Sequence, residues 1–101
     1  MSIISNLDDT SGKLTIAIDG RFDFSAHKEF RESYESLENK PEQYSIDMGR
    51  ANYIDSSALG MLLLLRDHAG GDRADVEIVN CNSDVRKILT ISNFDQLFSI
   101  H

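Results

Sequence analysis

Asp55-Ser56-Ser57 stands immediately before a run of aliphatic residues, and it is the spot in the chain whose side chains point to a chemistry. Aspartate and serine both satisfy the free N–H groups of a helix's first turn, so one reading of the trio is a helix cap. The other is a regulated serine. A helix start offers free donors and the positive end of the helix dipole, so it accommodates a phosphate without the domain unfolding. Residue types alone leave both readings open. They also leave Ser57 as a second candidate acceptor, because physics does not separate neighbouring hydroxyls.

Other chemistries find less support. No G-x-S-x-G pattern surrounds Ser56, so it does not read as a hydrolase nucleophile elbow. No phosphate-binding glycine loop is present. His27, His68 and His101 are scattered without metal-ligand spacing and read as surface residues. Asp19, Asp23, Asp47 and Asp55 suggest the carboxylates of a phosphoaspartate receiver. That fold needs five βα units and a lysine near its last strand, whereas the last lysine here, Lys87, falls inside a predicted helix. No complete catalytic constellation is visible, so the chain is not expected to be an enzyme, and no cofactor or metal is expected.

The elements that must position the serine follow from periodicity. Ser2 to Leu7 reads as a weak strand. Lys13 to Asp19 is a stronger one, with Leu14, Ile16 and Ile18 alternating with Thr15 and Ala17. Ser11-Gly12 between them fits a hairpin turn. Gly20 to Phe24 reads as a loop leaving that strand. Ser25 is then the expected cap of a helix running to about Glu38, with Ala26, Phe30, Tyr34 and Leu37 on one face and Lys28/Glu32 and Arg31/Glu35 as charge pairs outside. After Pro41, Tyr44 to Met48 alternates again. Gly49 to Asn52 interrupts it, and Tyr53-Ile54 resumes the apolar signal.

The helix after Asp55 carries Leu59, Leu62, Leu63 and Arg66 on one stripe, with Met61 and Leu65 beside it, and Gly70-Gly71 ends it. Val76 to Asn80 is a short strand. Ser83 and Asp84 open another helix with Val85, Ile88 and Leu89 inward, Asn93 closes it, and Phe94 to Ile100 predicts a half-turn and a last edge strand. Strands separated by helices need crossover connections, so part of the sheet is expected to be parallel.

Composition sets the bounds. The 101 residues suffice for one domain with one modest core. Hydrophobic residues at 41% and charged residues at 27% describe a folded globular chain rather than a disordered one. A net charge of −7 disfavours phosphate backbones and anionic lipid, so no nucleic acid is expected as partner and protein surfaces are. The N-terminus lacks the basic and apolar regions of a secretory signal. The longest apolar run, Ala58 to Leu65, contains Gly60 and is too short to span a bilayer, so no direct membrane insertion is expected. A single cysteine, Cys81, fits a reducing compartment, hence a cytoplasmic location.

With these elements in place, Tyr53-Ile54-Asp55-Ser56-Ser57-Ala58-Leu59-Gly60 and the aliphatic run behind it resemble the signature of anti-anti-sigma factors, the bacterial anti-sigma factor antagonists built on the STAS domain. That family's usual form is an apolar residue followed by Asp-Ser-Ser/Thr-Gly-Leu-Gly. Ile18-Asp19-Gly20-Arg21-Phe22-Asp23 is similar to the family's Gly-x-Leu/Phe-Asp loop before the first helix. Ile46-Asp47-Met48, Val76 to Asn80 and the helix from Ser83 match in order and spacing, so the resemblance covers essentially the whole chain.

The resemblance implies an α/β fold. It would be a single STAS-type domain over residues 1–101, with a mixed β-sheet of about four to five strands and three to four helices mainly on one face. It implies that Ser56, directly after the aspartate, is phosphorylated by a partner serine kinase that usually doubles as the anti-sigma factor. A phosphatase of PP2C type would reset the switch. Arg21, Phe22, Asp23, Asp55, Ser56, Ser57 and Ala58 are the implied partner-binding positions. Ala58 departs from the family's glycine and would add a methyl near the partner surface. The implied function is sequestration of an anti-sigma factor while Ser56 is unmodified. The alternative is a constitutive STAS subunit of a membrane transport or signalling assembly, with Ser56 only a helix cap.

Overall fold

In the computed structural model, which describes residues 2–101, five strands form one sheet. They are β1 (Ser2–Asp8), β2 (Lys13–Phe22), β3 (Gln43–Ile54), β4 (Val76–Val79) and β5 (Ser99–Ile100), in the spatial order of the chain. β1 pairs antiparallel with β2, and β2 through β5 run parallel. The hairpin closes where the Asp8 carboxylate accepts the Thr10 N–H at 2.9 Å and the Gly12 N–H donates to the Asp8 carbonyl at 2.8 Å. Each parallel step is bridged by a helix: α1 (His27–Glu35), α2 (Ser56–His68) and α3 (Ser83–Ile91).

The expected mixed α/β sheet with helices on one face is what forms. Leu14, Ile16 and Ile18 of β2, Tyr44, Ile46 and Met48 of β3, and Val76 and Ile78 of β4 are buried on one side of the pleat. They join Phe30 and Tyr34 of α1, Leu62 and Leu65 of α2, and Val85 and Leu89 of α3 in one cluster. The intervening residues face away from the helices. There Lys13 reaches across β3 to Glu77 at 3.1 Å, above the buried Ser45. Burying a leucine-sized side chain in such a core contributes about 1.5–3 kcal/mol.

Four local expectations are corrected. β2 does not end at Asp19 but runs on through Gly20-Arg21-Phe22, its pairing with β3 shifted between Ala17 and Asp19 and again between Gly20 and Arg21. Gly20 adopts φ 91°, a conformation open to glycine at little cost, and the sequence signal for a turn is here an irregularity inside a strand. β3 likewise continues through Gly49 to Asn52 to reach Ile54. The first helix is preceded by a single 3-10 turn, Phe24–Ala26, and it is this turn that Asp23 caps; Ser25 lies inside the turn and caps nothing, and α1 itself starts at Ala26 without a side-chain cap. α1 then stops at Glu35, short of Glu38, with Arg31 and Glu35 paired at 3.0 Å.

α2 also rotates relative to expectation. Its buried residues are Ala58, Met61, Leu62 and Leu65, while Leu63 lies 41% exposed and Leu64 56% exposed. Arg66 turns to the Leu97 carbonyl at 3.1 Å and the Asp72 carboxylate at 3.0 Å. Among the described residues, no helix is long and apolar enough to cross a membrane.

Candidate functional site

Two parallel strands end side by side, and each is followed by an aspartate that starts a helical segment. Phe22 is the register partner of Ile54, and the Asp55 N–H donates to the Phe22 carbonyl at 3.3 Å. Asp23 and Asp55 therefore leave the sheet on one rim, and the two motif segments, over thirty residues apart in sequence, form one surface. The extra strand length past Asp19 is what carries Arg21, Phe22 and Asp23 to that rim.

Asp55 is the N-cap of α2. Its backbone is extended (φ −116°, ψ −178°), and its carboxylate accepts the Ala58 N–H at 2.8 Å. Its carbonyl accepts the Leu59 N–H at 3.2 Å. The cap role that Ser56 shared in the plain reading thus belongs to Asp55. Ser56 is the first helical residue, exposed, with its hydroxyl not called on to hold the helix start. Ser57 is half-buried, so of the two hydroxyls Ser56 is the more accessible.

Asp23 repeats the arrangement one strand away. Its carboxylate accepts the Ser25 N–H at 3.0 Å and also the Ser25 hydroxyl. The Ser25 hydroxyl holds the Asp23 carboxyl below the usual aspartate range; partial desolvation opposes this, and the Ser25 N–H and Arg21 add to it. The Arg21 guanidinium lies 3.4 Å from Asp23 and 4.1 Å above the Tyr53 ring, a cation–π contact that holds its positive charge beside the Asp23 carboxylate. Phe24, 69% exposed, stacks on half-buried His27 at 5.6 Å beside it.

Two of the implied partner-binding residues sit elsewhere. Phe22 is fully buried and packs on Phe30 at 5.1 Å between ring centres. Its alternation with Arg21 along β2 turns it to the helix side of the sheet, so it supports the rim from beneath. Ala58 is also fully buried. The methyl that replaces the motif glycine points into the core, not toward a partner, and its N–H is the donor that Asp55 caps. Arg21, Asp23, Asp55, Ser56 and Ser57 are brought together at the rim.

The sequence reading missed Tyr53 as the platform under Arg21, and it missed the outer face of α2. The signal for the second was present in Gly60 within an otherwise helix-favouring run. The remaining titratable groups lie apart: burial pushes the Cys81 thiol up, which makes it a poor nucleophile, and His68 packs on Tyr34 at 5.0 Å.

A family model described as Mlab, STAS domain, matches residues 5–99. The chain belongs to the STAS domain family. A STAS-domain-containing protein of Pseudomonas aeruginosa (strain UCBPP-PA14) is 60% identical over 88 residues, which is 87% of each chain. Among solved structures, the anti-sigma factor antagonist SpoIIAA in its unphosphorylated form superposes with a TM-score of 0.77 at 16% identity, over 99% of this chain and 87% of that one. A sulfate transporter family protein from Wolinella succinogenes superposes at 0.76 with 15% identity, over 90% of this chain and 73% of that one. At these identities the structural matches establish the STAS fold, and they show it both in an anti-sigma factor antagonist and in a sulfate transporter family protein.

Proposed function

We propose that this STAS domain is an anti-sigma factor antagonist, a cytoplasmic, non-enzymatic switch that binds an anti-sigma factor when Ser56 is unmodified and releases it when Ser56 is phosphorylated. The observation that carries the reading is the division of labour at the start of α2. Asp55 holds the cap while Ser56, exposed beside it on the same rim as Asp23, is free to be modified. In the transfer, the Ser56 oxygen attacks the γ-phosphorus of ATP. The new O–P bond replaces the bond to ADP, and the hydroxyl proton passes to a base of the kinase. A PP2C-type phosphatase would hydrolyse the product back to serine.

The physical effect is a local change of charge. Phosphate adds about −1.5 to −2, in a chain already at −7, next to Asp55 and on the rim that carries Asp23. The donors at the helix start keep the modified serine compatible with the fold. A partner packed closely on that rim would face like charge and lost solvation, and each 1.4 kcal/mol is about tenfold in affinity. The switch therefore needs no rearrangement of the sheet. The SpoIIAA likeness supports this reading through the fold.

The test is binding of the anti-sigma factor from the same cells to three forms. Wild type and Ser56→Ala are expected to bind alike, and Ser56→Asp to bind at least tenfold more weakly. Equal binding by all three would favour the second reading, a constitutive subunit of a membrane transport assembly. The observation on that side is the likeness to a sulfate transporter family protein.

A further inference from the structure

The outer face of α2 has no function inside the chain. Ser56, Gly60, Leu63, Leu64 and Asp67 fall at helical spacing on it, and all five are exposed. Gly60 is the informative member. A side chain added there would meet nothing within 4 Å, so no neighbour in the fold demands a glycine. Nor does its backbone, since Gly60 is not among the residues of positive φ. Glycine is among the poorest residues for a helix interior, and an alanine would fit without a clash. Beside this gap, Leu63 and Leu64 stand in solvent, 41% and 56% exposed. A bare stretch of helix backbone flanked by exposed leucines is the shape that accepts close packing from outside.

We infer that this stripe is the docking platform of the serine kinase that modifies Ser56, which reads a folded helix face and not a linear sequence around the serine. The inference rests on Ser56 being the phosphorylated residue. Its geometry names the occupant. Ser56 lies in the first turn of a helix, not in an extended segment that a kinase groove could thread. A kinase must bring the γ-phosphorus of ATP to the Ser56 oxygen, and the helix surface within one to two turns of that oxygen is Gly60, Leu63 and Leu64. Charge narrows the occupant further. Asp55 and Asp67 bracket the stripe; of the basic groups near it, Arg31 of α1, which shares a groove with Leu64, Asp67 and His68, is paired with Glu35 at 3.0 Å, and Arg66 is engaged by Asp72 and the Leu97 carbonyl. The kinase surface that fits is apolar at its centre, to lie on the leucines and the glycine backbone, and basic at its edges.

The test uses the kinase activity from the source cells that transfers labelled phosphate from ATP to the 101-residue chain. Its substrates are wild type, Gly60→Gln, Leu64→Glu, and a synthetic peptide of residues 50–66. Lys87→Gln, an exposed change in the middle of α3, is the control. Transfer to Gly60→Gln and Leu64→Glu is expected to fall at least tenfold in kcat/KM, mostly through KM, with melting temperatures not lowered for Gly60→Gln. The control is expected to stay within twofold and the peptide to be a poor substrate. Transfer to wild type that is matched by the peptide, or by both variants, overturns the inference alone. Absence of any transfer to wild type overturns the reading of Ser56 and the inference together.

Discussion

Two helices of this domain begin in the same way and end up with different surroundings. α2 opens Asp55-Ser56-Ser57-Ala58, and α3 opens Asn82-Ser83-Asp84-Val85. In each, an extended residue caps the helix by accepting the N–H three positions on, at 2.8 Å in both cases. In each, the next residue is an exposed serine. Ala58 and Leu62 are buried in one, and Val85 and Leu89 at matching positions in the other. The outer faces diverge. Where α2 shows Gly60 and Leu63, α3 shows Lys87 and Thr90, although the next matching pair, Leu64 and Ile91, is apolar and exposed in both. The neighbours diverge too. Asn82 spends its amide N–H on the Ala51 carbonyl at 3.1 Å, whereas Asp55 stands against the Phe22 carbonyl on the rim of Asp23 and Arg21. A capped helix start with a serine is thus a common local solution. What distinguishes Ser56 is the second motif beside it and the Gly60–Leu63 stretch of helix face behind it.

The largest expected effect separates the two serines by charge. Ser56→Asp should weaken anti-sigma factor binding at least tenfold, about 1.4 kcal/mol or more, while Ser83→Asp should leave it within twofold. Titration calorimetry reads both, and equal losses would make the site a general effect of negative charge. The two caps come next. Asp55→Ala and Asn82→Ala should each lower stability in urea by about 1 kcal/mol, with Asn82→Ala the greater because it also strands the Ala51 carbonyl. A reversal of that order would contradict the hydrogen-bond assignment.

Smaller still, Gly60→Ala should raise stability by about 0.5–1 kcal/mol, measured by the same unfolding curves, since nothing in the fold opposes a methyl there. The smallest effect concerns the neighbouring Asp23 cap. The folded carboxyls of Asp23, Asp8 and Glu77 are held below their usual values, Asp23 chiefly by the Ser25 hydroxyl, Asp8 by the Thr10 N–H and Glu77 by Ser45. The unfolded chain then takes up protons first as pH falls. Their contribution is present above about pH 4 and is lost as pH drops through the folded values. Asp23→Asn should flatten part of that acid slope in melting temperature below about pH 4, and an unchanged slope would mean that Asp23 contributes nothing to it.

Much of this was legible in the sequence. The alternation of Leu14, Ile16 and Ile18 and of Tyr44, Ile46 and Met48 marked the central strands and their inward face. The site motif marked Ser56 at a helix start. What escaped reading has physical causes. Gly20 and Gly49 signal turns locally, but strand pairing absorbs them as irregularities, so the strands run longer than their alternation suggests. Met61 to Leu65 are all apolar, so periodicity cannot choose which of them faces the core. Tertiary packing decides it, and leaves Leu63 and Leu64 outside. Phe22 looked like part of an exposed loop because the loop was in fact strand, and alternation along a strand buries every second residue. Asp23 and Ser25 are both good caps by type, and only the backbone geometry shows which one serves.

The central claim is that Ser56, and not its counterpart Ser83 or its neighbour Ser57, carries a phosphate in the cell. Peptide mass spectrometry on the chain isolated from its native cells, with and without phosphatase treatment, tests this most directly. The account predicts a phosphatase-sensitive phosphate confined to Ser56, with the modified fraction changing between growth conditions. A chain unmodified at Ser56 under every condition, or modified equally at Ser83, would contradict it and leave the constitutive-subunit reading in its place.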